Sequence, residues 1–300
     1  MSDFFLDHLQ YVDSATSTYM NQHFIGKGGN GTAFLVTAVK GPFAGTQFVL
    51  KVFRKIDDQT RLAAFQRETQ VMKEFNHPCV VKIFDEGVFR SRGEEFPFMI
   101  TEYLPRNARE LLSRSEFNRL QSLRIIMNCL SALSVLHEKS FIHRDIKPEN
   151  IFLTESIAKL GDFGLVKDSK AEDTSETESD TGTQTPGMPF FYRTPEMVER
   201  LKNKAIKITV ASDIYQMGTV CYELLTGFNP QRRPVHIGDS IELSIRDVQG
   251  NNSIAITDTI ERMLSTDPKK RPTAKECLSL FIKIHSNFCE QMKAVIGDNV

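Results

Sequence analysis

The strand-like runs of this sequence come early and its helical periods come late, and that order limits the folds open to it. Residues 19 to about 103 read as strand-rich. Residues 33–39 and 47–53 are β-branched or aromatic runs bounded by glycines, and the turn residues Gly41-Pro42 and Ala44-Gly45-Thr46 lie between them. One helix interrupts, over about residues 58–75, with Leu62, Phe65, Met72 and Phe75 on one face. After Pro105 the pattern changes. Leu123, Ile126, Met127, Leu130, Leu133 and Leu136 recur at three- and four-residue steps, and residues 212–225 are apolar on nearly all sides, as in a buried helix. Strands first and helices later is an α+β pattern, not the alternation of a doubly wound sheet.

Composition narrows the function classes. Over 300 residues, 37 Lys and Arg stand against 38 Asp and Glu, so the basic excess of a nucleic-acid binder is missing. No apolar run approaches the roughly 18 residues of a membrane helix. The first residues carry no basic n-region and no long apolar stretch, and Ser2 excludes N-myristoylation. Five cysteines, an odd number without a C-x-x-C pair, argue against a zinc site or a disulfide framework and for a reducing compartment. The expectation is a soluble, cytoplasmic chain with no nucleic-acid or membrane partner.

Two segments stand apart. Residues 1–18 form a leader rich in Ser, Thr and Asp, with an apolar patch at Phe4, Phe5, Leu6 and Leu9. The patch is open between docking, on the domain or a partner, and a frayed end. Between Asp168 and Pro186 there are six acidic residues, one lysine and eight hydroxyls, with no large apolar side chain. Such a stretch cannot offset its ordering entropy by burial.

Gly26, Gly28 and Gly31 fit G-x-G-x-x-G, a weak signal by itself. A dinucleotide fingerprint should open a helix and meet an acidic residue about 20 positions on. Here the glycines run into a strand, and the residue 20 beyond Gly31 is Lys51. Glycines between two strands, with a lysine on the next, fold instead as a backbone flap over phosphates. Lys51 lies inside an apolar strand, and Glu68 lies in the apolar stripe of the following helix. Isolated, each is costly to bury, so the two are expected to pair.

The densest chemistry is His143-Arg144-Asp145-Ile146-Lys147-Pro148-Glu149-Asn150, followed twelve residues later by Asp162-Phe163-Gly164. These motifs resemble those of the eukaryotic-type protein kinase superfamily, serine/threonine class, and the likeness runs from about Tyr19 to Ile284. The resemblance implies a bilobal fold: a β-rich small lobe with one key helix at 19–103, a helical large lobe at 104–285, the extension 1–18 and a tail 286–300. It implies ATP as co-substrate, Mg2+ as cofactor and protein hydroxyls as acceptors. Asp145 would orient the attacking hydroxyl and take its proton, with Lys147 on the γ-phosphate. Lys51, held by Glu68, would meet the α- and β-phosphates, and Asn150 and Asp162 would hold magnesium. Glu102 and Leu104 would offer backbone to adenine above Phe152. Asp213 would brace the catalytic loop, and Arg271 would pair with Glu196.

Lys147, two residues after Asp145, is the serine/threonine pattern. Arg144 before Asp145 is the arrangement in which a phosphate on the acidic loop can be gripped, and Thr185, with Thr183 as second choice, lies where such a phosphosite would fall. Trans-autophosphorylation would bring transient homodimers. The chain departs from the family at Pro189 or Met188, where a threonine usually serves Asp145 and Lys147, and exchanges volume at Ala33 and Val49 above the adenine position. A pseudokinase scaffold that binds nucleotide without transfer is the alternative reading, and a small-molecule phosphotransferase a third. The first normally lacks one of Lys51, Asp145 and Asp162, all present here. The second generally lacks the Pro195-Glu196 and Arg271 elements.

Overall fold

In the computed structural model, which describes residues 6–27, 31–54, 56–115, 118–155, 157–164, 166–168, 190–232, 241, 243, 248 and 252–297, the chain divides into two units. One runs to Pro105 and the other begins at Arg106.

Alternation builds the first unit. Strands β1 (Tyr11–Asp13), β2 (Thr18–Lys27), β3 (Gly31–Lys40), β4 (Gln47–Phe53), β5 (Ile83–Ser91) and β6 (Glu94–Glu102) form an antiparallel sheet in the order β1-β2-β3-β4-β6-β5. Phe34, Val36 and Ala38 of β3 share a core with Phe48, Leu50 and Val52 of β4 and Phe96, Phe98 and Ile100 of β6. The step of two puts Lys51 on the opposite face from Leu50 and Val52. Each such side chain, fully buried, contributes about 1.5–3 kcal/mol. Helix α1 (Gln59–Glu74) is capped by Asp58, whose side chain accepts from the Arg61 N–H, and buries Phe65, Glu68 and Met72.

Two features of this unit differ from the sequence expectation. Residues 86–98, read as an exposed strand connection, are paired strands instead. Ser91 sits opposite Glu94, Arg92 and Gly93 both have positive φ, and Phe89, Phe96 and Phe98 are buried. The leader, whose docking was left open, is folded on the sheet. Tyr11–Asp13 pair with Thr18–Met20, Val12 joins the core, and the Asn21 side chain donates to the Leu6 and Asp7 carbonyls at 3.2 and 2.8 Å. Leu6 packs on the core while Leu9 is exposed; Phe4 and Phe5 lie outside the described residues. The boundary expected at 18 therefore does not coincide with a break in structure.

The second unit is helical: α2 (Ala108–Ser113), α3 (Arg119–Glu138), α4 (Pro195–Lys202), α5 (Val210–Thr226), α6 (Ser253–Met263) and α7 (Ala274–Gly297). Short strands complete it. β7 (Arg106–Asn107), β9 (Ile151–Leu153) and β10 (Ala158–Leu160) form one small sheet, and β8 (Phe141–Ile142) pairs with β11 (Lys167–Asp168). Every residue of α5 from Ser212 to Leu224 is buried, which is why its sequence shows no polar face. Helix α3 packs against both α5 and α7. Helix α7 runs through 285 to Gly297, across the expected tail boundary. The five cysteines are free thiols, and all but Cys289 are buried. No described helix is long and apolar enough to cross a membrane.

Where the leader crosses the β3–β4 turn, Gly41 has φ +100°, and a Cβ there would come within 2.4 Å of Ser17 Oγ and 2.6 Å of the Thr16 carbonyl oxygen. Gly41→Ala is therefore expected to destabilise the fold by about 1–3 kcal/mol through backbone strain, with more from the collision. A lowered urea midpoint at unchanged m-value checks it.

Candidate active site

Arg144 has φ +70°, a left-handed conformation that a residue with a side chain adopts only when its surroundings impose it. The surroundings here are two side chains of α5. Asp213, with no exposed surface, accepts the His143 N–H on Oδ2 and the Arg144 N–H on Oδ1, both at 2.8 Å. Three residues along the same helix, Gln216 accepts the Ile146 N–H at 3.0 Å and donates to the Arg144 carbonyl at 3.2 Å. Spacing of three puts both side chains on one helix face, so the loop is gripped over residues 143–146. His137 of α3 adds a 2.9 Å contact to Asp213.

His143 is fully buried, and burial lowers its pKa and keeps the ring neutral. Its Nε2 lies 3.2 Å from the Gly161 carbonyl and its Nδ1 3.4 Å from the Asp145 N–H, which assigns the proton to Nε2. The imidazole thus ties the loop to the residue preceding Asp162.

Asp145 is buried among groups of its own loop. Lys147 Nζ stands 2.9 and 2.7 Å from its two carboxylate oxygens, and Asn150 Nδ2 donates to its Oδ2 and to its main-chain carbonyl, each at 2.8 Å. Burial pushes the Asp145 carboxyl up; Lys147 opposes that, and the Asp162 carboxylate reinforces it. Asp162 is exposed, with φ +57°. With its Nδ2 engaged, Asn150 has its amide oxygen as the remaining side-chain donor to a cation. That oxygen and the Asp162 carboxylate are hard ligands of the type magnesium takes, and two protein ligands suit an ion that keeps water and substrate oxygens. Among the described residues no group of three or more His, Cys, Asp and Glu could hold a metal, in keeping with an ion shared with a substrate rather than caged by protein.

In the first unit, Lys51 Nζ is 2.7 Å from Glu68 Oε1, with 24% of the lysine side chain exposed and 2% of the glutamate. Gly31 lies opposite Phe53, where a Cβ would approach the Val52 carbonyl oxygen to 2.9 Å, so a side chain is excluded. Gly26 has open space around it, and Gly28 lies outside the described residues. Glu102 closes β6. Its N–H donates to the Lys82 carbonyl at 3.0 Å, and its Oε1 accepts the Lys82 N–H at 2.7 Å. Leu104 follows in irregular, half-buried chain. Phe152 sits on β9 of the second unit, opposite Asn107 and Lys159. Thr183, Thr185, Met188 and Pro189 lie outside the described residues.

The sequence analysis missed a polar cluster around Arg109. Its Nε donates to Glu149 at 2.8 Å, Nη1 to Glu223 at 2.6 Å and Nη2 to the Tyr192 hydroxyl at 2.5 Å, while Tyr192 donates to Glu223. Burial works against the charge on Arg109, but Glu223 and Glu149 outweigh it and raise its pKa. Gln216 was missed as well. The one available signal was a Gln and a Glu inside the otherwise apolar run 212–225. The expected Arg271–Glu196 pair is present and bidentate at 2.6 and 2.8 Å. Ser212 also donates to Glu196 at 2.6 Å, and the guanidinium stacks 4.8 Å from the Tyr215 ring centroid.

Residues 19–281 match the model of the protein kinase domain. The chain belongs to the protein kinase family. It is 29% identical over 275 residues to serine/threonine-protein kinase pkn3 of Myxococcus xanthus, covering 86% of this chain and 48% of that protein. It is 34% identical over 215 residues to a probable serine/threonine-protein kinase PknB of Lactococcus lactis, covering 69% and 31%. With the PknB of Mycobacterium leprae it shares 27% over 249 residues, covering 78% and 38%. These relatives set the kinase domain in the serine/threonine class, and the chain spans less than half the length of each. The α+β, two-lobed expectation stands with it.

Two predictions follow from the charges of this kinase domain. Burial raises the Glu196 carboxyl, but Arg271 and Ser212 outweigh it and hold the group below its ordinary 4.5. A depressed folded-state pKa contributes stability that is complete above 4.5 and lost as pH falls through the folded value. The thermal midpoint of the wild type should therefore drop more steeply below that pH than that of Glu196→Gln, as calorimetry across the acid range would read. In the first unit, Lys51→Met strands a carboxylate that is 2% exposed and should cost about 3–5 kcal/mol. A Lys51→Met/Glu68→Leu double variant should recover most of that in denaturant titration.

Proposed function

We propose that this kinase domain transfers the γ-phosphoryl group of ATP, with Mg2+, to serine or threonine hydroxyls of proteins. The observation that carries the reading is Asp145. It is a carboxyl raised by burial and held by Lys147 and Asn150 on a loop whose strained backbone is fixed from α5. A proton acceptor for a hydroxyl needs that combination of fixed position and raised pKa. Asp145 orients the acceptor hydroxyl and takes its proton. Lys147 moves from Asp145 toward the γ-phosphate as charge builds there. Asn150 through its amide oxygen and Asp162 through its carboxylate hold the ion, which when bound neutralises charge on the phosphate oxygens.

Lys51 holds the α- and β-phosphates, and Glu68 fixes its ammonium. The backbone at Gly26, Gly28 and Gly31 lies along the phosphates. Because the Glu102 N–H is engaged with Lys82, its carbonyl and the backbone of Leu104 serve the adenine edge, with Phe152 against the ring. Activity in the reducing cytoplasm agrees with five free thiols. Regulation through phosphate on Thr185 or Thr183, gripped by Arg144 after transfer between two transiently paired copies, completes the proposal. A pseudokinase scaffold draws no support from the site, since Lys51, Asp145 and Asp162 are all in place.

Incubation with Mg-ATP and a generic protein acceptor, followed by mass spectrometry of the 165–195 peptide, tests the reading. Wild type should carry phosphate on the peptide and the acceptor, and Asp162→Ala on neither. Asp145→Asn should lower kcat by about 10²–10⁴ while nucleotide affinity stays near wild type. Nucleotide binding without transfer in the wild type would return the domain to a scaffolding role.

A further inference from the structure

The leader holds a cluster of hydroxyls that the transfer chemistry leaves unused. Three of them converge on one carboxylate oxygen of β5. Ser14, Thr16 and Tyr19 donate to Asp85 Oδ2 at 2.5, 2.8 and 2.8 Å, and the Glu86 N–H donates to Oδ1 at 2.8 Å. Ser14 Oγ also accepts the N–H groups of Thr16 and Ser17, at 3.2 and 2.9 Å, so the 14–17 turn is organised around the group that docks it. These donors outweigh the effect of burial and hold the Asp85 carboxyl below its ordinary value, which keeps the acceptor anionic. Ser17 is buried beneath Gly41, and Ser14 is half-buried; Thr16 is exposed.

We propose that the 14–17 turn is a latch on Asp85 and that phosphorylation of Thr16 opens it. In the step, Thr16 Oγ1 bonds to the γ-phosphorus of ATP, the bond to the β,γ-bridging oxygen breaks, ADP leaves with the electron pair, and the hydroxyl proton passes to a base. The product cannot donate to Asp85, and its phosphate is a near-dianion of acceptor oxygens set against a carboxylate. Thr16 must leave Asp85 to be modified, so the phosphate captures the open form and shifts the population toward it. The freed segment is β1, whose Val12 is part of the core. The loosened strand is β5, which has a register shift between Ile83 and Asp85 and follows directly on Lys82, the partner of Glu102. The latch stands on its own geometry; its modification by a second copy of this chain rests on the activity proposed above.

Hydrogen exchange of the Tyr11–Met20 amides in the full chain tests the latch without using activity. Thr16→Glu should accelerate exchange by about tenfold, the equivalent of one hydrogen bond to a charged group. In an Asp85→Asn background the same substitution should accelerate it far less, because the like charge is gone. Unchanged exchange in Thr16→Glu, or an equal acceleration in both backgrounds, would overturn the latch. For the chemical step, the wild type is incubated with Mg-ATP and a generic acceptor, and the peptide spanning residues 6–27 is mapped. Phosphate on Thr16, with faster exchange of β1, is the expected result. A labelled acceptor with bare Thr16 overturns self-modification and leaves the kinase activity standing. No label on either counts against both, and the exchange comparison then decides the latch alone.

Discussion

A single buried carboxylate, Asp213, sets the geometry on which the rest of the candidate site depends. Two of its contacts are the N–H groups of consecutive residues, His143 and Arg144, and they hold the chain in a left-handed turn that Arg144 would not adopt unaided. A carboxylate without solvent is costly, and several donors are needed to offset that cost. Asp213 has them in two backbone amides and His137. The arrangement works because its platform is rigid. Helix α5 is buried over thirteen consecutive residues, so its polar side chains have few other places to go. Each one leads to a different part of the site. Asp213 and Gln216 go to the loop, Ser212 to Glu196, and Glu223 to Arg109 and Tyr192.

The local rules read much of this from the sequence. Strands β3 and β4 follow an alternation that needs no knowledge of partners, and α1 fits its cap at Asp58 to the residue. The pairing of Lys51 with Glu68 was legible because burial of either alone is too costly, which leaves few solutions. The loop 143–150 was legible through family likeness, and its residues do converge on Asp145.

Other parts were not legible, for a physical reason they share. The Arg109 cluster joins residues as much as 114 positions apart, and nothing in the sequence near Arg109 marks it as central. The β5–β6 pairing depends on register and on a two-residue turn through Arg92 and Gly93, a pair without the Asn-Gly or Asp-Gly signature. Strand β1 is three residues long, too short for a period to appear. Its place is fixed by Asn21 and Asp85, through side-chain contacts that only the folded sheet creates.

The buried charges fall into two kinds, and the difference bears on function. Glu196 and Asp213 are held by groups remote in sequence, from several directions, and for Glu196 the outcome is a lowered carboxyl. Such groups are structural: removing a partner strands a charge, and their ionisation is locked to the fold. Asp145 is held by its own loop, through Lys147 two residues on and Asn150 five residues on, and its carboxyl is raised. A lysine on the same flexible stem can leave without unfolding anything, whereas Arg271 cannot leave Glu196 so freely, being tied also to the carbonyls of Ser265 and Ala211. The rigid brackets thus hold the backbone still, and the one carboxyl able to gain and lose a proton is the one whose counter-ion can move.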